Sequence, residues 1–345
     1  MRYRPFGRGT GLIVSEIVLG AGMFGTRWGY GAEPAESRRI VDGYLDGGGT
    51  FIDTADTYQV GEAEELLGQF LQGKREDVVL ASKYTMGEVN GAGLLALGNG
   101  RKNMLRSVDA SLSRLRTDYL DVYYTHVPDE LTSVDEIQRG MEDLIRAGKV
   151  RYFGLSDFPA WRVARAATLA ELRGTAPVAA IQFEYSLVAR TPESEILPMG
   201  DAFGLGMVGW SPLGGGLLTG KYRRGETGRA TGFKRLIHDE DSPRKEATVD
   251  AVLAVADELG VSPGQVAIAW LATRGVLPII GPRTREQLDD NLGASAVVFS
   301  ADQLHRLDAA SAIPMGFPHE MNATQHERLR AGMPDRVVED GAPVR

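Results

Sequence analysis

Residues 50–58 read TFIDTADTY, a short apolar run that closes on a carboxylate, Asp53, with a phenol, Tyr58, just past it. Residues 77–84, DVVLASKY, close in the same way around Lys83, and residues 120–129, LDVYYTHVPD, run into His126. The sequence between these runs has helical rather than alternating periodicity. Strands that alternate with helices pair in parallel, and a parallel array carries all its strand C-termini on one face. Four ionisable side chains spread from 53 to 126 are therefore expected to meet at one spot. A carboxylate, a phenol, an ammonium and an imidazole together make an acid–base site, which points to an enzyme.

Apolar, β-branched-rich runs of the same kind cover 17–20, 50–53, 77–83, 120–126, 150–156, 178–185, 207–212 and 276–281. Most neighbours lie about 30 residues apart, the length of a βα unit. Eight such units predict an α/β fold with a single (β/α)8 TIM barrel at about 16–310, and one domain over 1–345. Residues 4–15 carry Gly7, Gly9 and Gly11 between apolar runs, which predicts a short N-terminal hairpin closing the barrel bottom. Leu105, Val108, Leu112 and Leu115 fall on one helical face, and Ile137, Met141, Leu144 and Ile145 on another. Ser133 and Glu136 have capping-box spacing. Ala256, Leu259, Val266 and Trp270 belong to a helix pair broken at Gly260 and restarted at Ser262-Pro263. The long connections 85–100 and 213–242 read as lid loops, and 314–345 as a loose C-terminal tail over the barrel mouth.

The 345 residues are 43% hydrophobic and 24% charged, which suits a soluble globular protein with a large core. A formal net charge of −8 argues against nucleic-acid and anionic-membrane partners. The absence of cysteine excludes disulfides, thiol catalysis and Cys-bound metals. No metal-ligand cluster appears, so the metal expectation is none. Gly and charged residues interrupt every apolar run before about 18 residues, and no long apolar stretch opens the chain. A cytoplasmic enzyme is the expectation, with the oligomeric state left open.

Gly20, Gly22 and Gly25 spell G-x-G-x-x-G after a strand. A dinucleotide fingerprint needs a helix opening at once on its third Gly. Here Gly29, Gly31 and Pro34 intervene, and the helical pattern begins near Ala35. The glycines instead let backbone approach a flat ligand at the mouth of the first strand, where Gly22 and Met23 are expected to touch it.

The four clustered side chains have a coherent chemistry. A free phenol titrates near pH 10, and a buried ammonium beside it favours the phenolate. Lys83 can supply the ammonium and Asp53 can hold it in place, with Asp56 and Glu62 as competitors on the loop. Tyr58 would then give a proton to a carbonyl oxygen, or take it back in reverse, while His126 orients that oxygen. With no nucleophile motif, metal cluster or P-loop, hydride has to come from a bound cofactor.

FIDTADTY (51–58), LASKY (80–84), RKNMLRSVDASLSRLRTDYLDVYYTH (101–126) and GWSPLGGGLLTGKY (209–222) resemble signature segments of the aldo-keto reductases, over about residues 1–310. The resemblance implies a (β/α)8 barrel that reduces aldehydes or ketones with NADPH, and an Asp–Tyr–Lys–His tetrad at Asp53, Tyr58, Lys83 and His126. It also implies a cofactor site. GLSDF (154–158) resembles the family's G-x-S-N segment and places Ser156 and Asp157 at the nicotinamide carboxamide, with Gln182 completing the grip. Asp157 departs from the family's Asn, and a carboxylate can accept from the amide NH2 but cannot donate to its carbonyl. Trp210 stands where an aromatic stacks on the nicotinamide. Ser211, Pro212, Leu213, Gly216 and Lys221 resemble the pyrophosphate belt. IIGPRTREQLDDNL (279–292) resembles the adenosine end, with Gly281, Arg283, Thr284, Gln287 and Asn291; Arg283 favours NADP(H). A plain capping box is the other reading of Thr284 and Gln287. Phe24 and Trp28 are expected, with Tyr58, to wall the pocket of a small-molecule carbonyl substrate. A sugar, polyol or pyridoxal dehydrogenase working oxidatively would share the fold and tetrad. A regulatory subunit resembling the β-subunits of potassium channels would share the fold and retain the cofactor.

Overall fold

The computed structural model describes residues 1–87, 93–226, 228, 238–329 and 332. A two-stranded antiparallel hairpin comes first, β1 (Tyr3–Pro5) and β2 (Ile13–Ser15). Eight parallel strands follow: β3 (Val18–Gly20), β4 (Phe51–Asp53), β5 (Val79–Tyr84), β6 (Leu120–Thr125), β7 (Val150–Ser156), β8 (Val178–Glu184), β9 (Gly206–Trp210) and β10 (Leu277–Ile280). They pair in sequence order, and β10 closes on β3 to complete a (β/α)8 barrel. The eight expected runs and the observed strands agree to within two residues at each end.

Side chains alternate across a strand, so positions two apart share the barrel interior. Val18, Phe51, Val79, Ala81, Val122, Tyr124, Ala180, Val208, Leu277 and Ile279 form one apolar cluster there. The hairpin plugs its lower end. Phe6 is fully buried in that cluster, with its ring edge-on to Phe51 at 5.3 Å. Continuing the alternation upward leads from Phe51 to Asp53, from Ala81 to Lys83, from Ala180 to Gln182 and from Val208 to Trp210. The apolar floor thus hands over to a polar layer at the C-terminal mouth.

The helices α1 (Pro34–Asp46), α2 (Glu62–Phe70), α3 (Arg101–Leu115), α4 (Val134–Arg146), α5 (Ala160–Arg173) and α6 (Pro192–Ala202) bury their apolar faces against the outside of the barrel. In α3 the buried ladder is Met104, Val108 and Leu115, while Leu105 is 37% exposed. Val108 and Leu115 are buried as expected and Leu112 packs against the core; only Leu105 is displaced, its place on the buried face being taken by Met104, one turn before Val108. Ser133 caps α4 by accepting from the Glu136 amide. Glu136 does not reciprocate as a capping box would; its carboxylate accepts from the Arg101 amide at the start of α3.

The helix pair α7 (Pro243–Leu259) and α8 (Pro263–Thr273) breaks at Gly260 in the left-handed region (φ 64°) and restarts under a Ser262 cap. α9 (Arg285–Leu292) and α10 (Ala301–Ser311) complete the ring. The tail expected to be loose contains a further helix, α11 (His319–Leu329), whose sequence HEMNATQHERL has too few apolar residues to show a period. The rest of the tail, apart from 332, and positions 88–92, 227 and 229–237 of the two expected lid loops lie outside the described residues. Among the described residues no single helix is long and apolar enough to cross a membrane; α7 and α8 pass only jointly, across a 101° bend.

Candidate active site

Lys83 organises the polar layer. Its side chain is completely buried, and its ammonium donates to Asp53 Oδ2, to the Thr54 carbonyl at 2.9 Å and to the Tyr58 hydroxyl at 3.2 Å. Those three acceptors match the three N–H bonds of an ammonium. Asp56 and Glu62, the competing carboxylates, are not among them. Glu62 turns away and accepts from the amides of Thr26 and Arg27. Burial on its own would lower the lysine pKa, but the charge of Asp53, with Tyr58 adding to it, outweighs burial and holds the ammonium above its usual range.

Asp53 is held from a second side. Its Oδ1 accepts from Gln182 Nε2 at 2.9 Å. β4 and β8 stand opposite each other in the ring of eight, so this bond crosses the barrel and requires both side chains to point inward. Gln182, expected at a carboxamide, thus lines the cavity with its NH2 already engaged by Asp53.

Tyr58 opens a short turn, Tyr58–Gly61, in which Gln59 and Val60 take left-handed conformations (φ 49° and 57°). Left-handed backbone is costly for a β-branched residue and needs outside support. Gln59 provides it: buried, it accepts from the Trp28 amide at 2.8 Å and donates to the Tyr30 carbonyl at 2.9 Å. The same clamp sets the Trp28 ring edge-on to Tyr58 at 6.2 Å. His126 also meets the phenol edge-on, with ring centroids 5.8 Å apart. Burial, reinforced by the Lys83 charge, pushes its imidazole well below the ordinary histidine pKa, so it is neutral at physiological pH.

A cavity of about 650 Å3 runs from this cluster across the barrel mouth. Gly22, Met23, Trp28, Asp53, Tyr58 and His126 line its inner end; Lys83 lies just beneath. Ser156, Asp157, Gln182 and Trp210 follow, then Ser211, Pro212, Leu213, Gly216 and Lys221, and finally Gly281, Arg283, Gln287 and Asn291. Besides Lys83, two expected residues do not line it. Phe24 is fully buried in the core, because the loop turns between Met23 and Phe24 and presents only the former. Thr284 caps α9, accepting from the Gln287 amide at 3.2 Å. Gln287 Oε1 accepts from the Arg283 amide, one residue earlier than in a capping box.

The middle of the cavity is a backbone cradle. Gly214, Gly215 and Gly216 all have positive φ, and a Cβ on Gly216 would run into Lys221. Ser211 Oγ accepts from the Gly215 amide, and Tyr222 donates to the Gly215 carbonyl. Gly215, Thr219 and Arg224, which sequence reasoning passed over, also line this part. The triple glycine was the available signal for Gly215. Lys221 has a lowered pKa from burial and from the neighbouring charge of Arg283, so two cations converge at the outer end.

The sequence model of the aldo/keto reductase family matches residues 16–312, the whole barrel. The chain belongs to the aldo/keto reductase family. This aldo/keto reductase is 34% identical over 325 residues to norsolorinic acid reductase of Aspergillus flavus, covering 92% of this chain and 82% of the relative. It is 33% identical to aryl-alcohol dehydrogenase [NADP(+)] of Phanerodontia chrysosporium, covering 92% and 88%. An uncharacterised Bacillus subtilis oxidoreductase is 37% identical over 319 residues, covering 89% of this chain and 95% of the relative. Aldo/keto reductases are oxidoreductases that generally depend on a nicotinamide cofactor.

The residues present fit such a cofactor. Ser156 Oγ is buried without a hydrogen-bond partner among the described residues, in the wall beside Asp157. The glycine-rich loop lines the middle of the cavity, and Lys221 and Arg283 supply positive charge there for phosphates.

Proposed function

We propose that this enzyme interconverts carbonyl compounds and alcohols with NADP(H), using Tyr58 as the general acid in reduction. The bond from Lys83 to Tyr58, with Asp53 on the far side of the lysine, carries the reading. A bound nicotinamide would supply or accept the hydride. Tyr58 gives its hydroxyl proton to the carbonyl oxygen, and the adjacent ammonium stabilises the phenolate left behind. His126, neutral and within ring contact of Tyr58, is suited to donate a hydrogen bond to the same oxygen without competing as an acid. In reverse the phenolate takes the proton of an alcohol.

Ser156 and Asp157 would hold the carboxamide, Trp210 would support the ring, the 211–221 loop would cradle the pyrophosphate, and Arg283 with Gln287 and Asn291 would take the adenosine end. Met23, Trp28 and Tyr58 form an aromatic and thioether wall at the inner end, which suits an aromatic substrate. The names of the norsolorinic acid and aryl-alcohol relatives agree with that choice. In Tyr58→Phe, turnover of an aromatic aldehyde should fall about 10²–10⁴-fold while NADPH still binds. A near-normal kcat in that variant would refute the assignment.

A further inference from the structure

Among the residues facing the inner cavity, Asp157 places a carboxyl group beside Ser156, where the proposed cofactor would carry its carboxamide. It follows Ser156 at the end of β7, and its amide donates to the Gln182 carbonyl at 2.8 Å, which fixes it beside the residue that holds Asp53. Its backbone is left-handed, φ 57°, a conformation that Asp and Asn tolerate better than other residues bearing side chains. Trp210 Nε1 donates to Oδ1 at 3.0 Å and aims the carboxylate. The carboxylate faces the cavity on the same stretch as the unpartnered Ser156 hydroxyl. Two charged groups act on it, Lys83 from β5 and Glu184 from β8, while Asp53 and His126 share the cavity. Asp157 as a whole is exposed at the cavity mouth, but the protein packed around its carboxyl pushes the group up to about 6, the indole bond and Lys83 pulling against that rise and Glu184 adding to it. It is therefore ionised at pH 8.

A carboxylate is an acceptor only, so it suits the two N–H donors of a carboxamide and leaves the carboxamide oxygen to the Ser156 hydroxyl. Its charge has a second effect that an amide could not have. An oxidised nicotinamide is a pyridinium cation and a reduced one is neutral. Given the cofactor placement proposed above, we infer that Asp157 makes this enzyme discriminate between the redox states of its cofactor, favouring NADP+ over NADPH. With the cofactor bound there, positive charge on the oxidised ring would lie beside Asp157, so the carboxylate would bias the on-enzyme equilibrium towards carbonyl reduction and slow release of NADP+. Were the two charges roughly 6–10 Å apart at an effective dielectric constant of about 20, the preference would be about 10- to 100-fold.

The test is titration calorimetry of the unloaded protein at pH 8 with NADP+, NADPH and 2′-phospho-ADP-ribose, for wild type and Asp157→Asn. Asn keeps the left-handed backbone and an acceptor for Trp210, so the variant removes charge with little change of shape. The ratio Kd(NADPH)/Kd(NADP+) should fall about 10- to 100-fold in Asp157→Asn. Affinity for 2′-phospho-ADP-ribose, which lacks the nicotinamide, should not move. An unchanged ratio with both nucleotides still bound overturns the inference and leaves the proposed function standing. If the wild type binds none of the three ligands, the cofactor reading itself fails, and this inference with it.

Discussion

Asp53→Asn tests the arrangement on which the proposed chemistry depends. The two carboxylate oxygens of Asp53 accept from different donors, Lys83 on one side and Gln182 Nε2 on the other. An asparagine has one acceptor oxygen, so whichever way its amide turns, an NH2 faces Lys83 or Gln182. The variant also leaves the fully buried Lys83 ammonium without its counter-ion. Removing one partner of a buried pair costs about 3–5 kcal/mol, and the retained acceptor reduces that to an expected loss of about 3 kcal/mol at pH 7.

The sign of its pH dependence follows from the lysine. In the wild type, the folded-state pKa of Lys83 is raised above 10.5, so its contribution is present throughout the neutral range and is lost only as pH rises through the raised value. In the variant, burial acts without the opposing Asp53 charge and the folded pKa drops below 10.5, so neutral pH carries a penalty that fades as the ammonium deprotonates. The stability gap should therefore be widest near pH 7 and narrow as pH rises towards 10. Urea unfolding of both proteins at several pH values measures it. A loss under about 1 kcal/mol at pH 7, or a gap that does not narrow in the alkaline range, would show that Asp53 does not sustain the lysine charge.

Arg283→Ala should weaken NADPH about 10- to 150-fold and NADH little, since only the 2′-phosphate gains charge-assisted hydrogen bonds from a guanidinium; equal losses by calorimetry would reduce Arg283 to loop support. Gln59→Ala strips the Trp28 amide and the Tyr30 carbonyl of their partner. It should cost about 1–3 kcal/mol and raise KM for an aromatic aldehyde as Trp28 loosens, whereas an unchanged melting curve and KM would rule out the clamp. Gly216→Ala meets both a left-handed backbone (φ 97°) and Lys221. It should cost about 1–3 kcal/mol of stability and lower nucleotide affinity, and undiminished binding by the folded variant would mean that the cradle is not where phosphates sit.

Much of this molecule was legible in one dimension. Continuous apolar, β-branched-rich runs located all eight strands, because a parallel strand covered on both faces is buried along its whole length. The ionisable residues at their ends announced the acid–base cluster, because a parallel barrel carries every strand C-terminus to one face. Helix caps such as Ser133 and Ser262 were equally local. Other features needed the closed ring. Gln182 reaches Asp53 only because β8 comes to stand across from β4, some 130 positions away. Gln59 supports the turn beside Tyr58 by bonding to a loop 30 residues earlier. Glu62 could have competed for Lys83, yet the fold assigned it to the amides of Thr26 and Arg27. Met23 rather than Phe24 faces the cavity because of a loop turn that leaves no periodic trace. Periodicity and end-of-strand position are properties of neighbouring residues, so sequence determined them; the partner of a buried polar group depends on which distant backbone arrives beside it, and only the tertiary structure decided that.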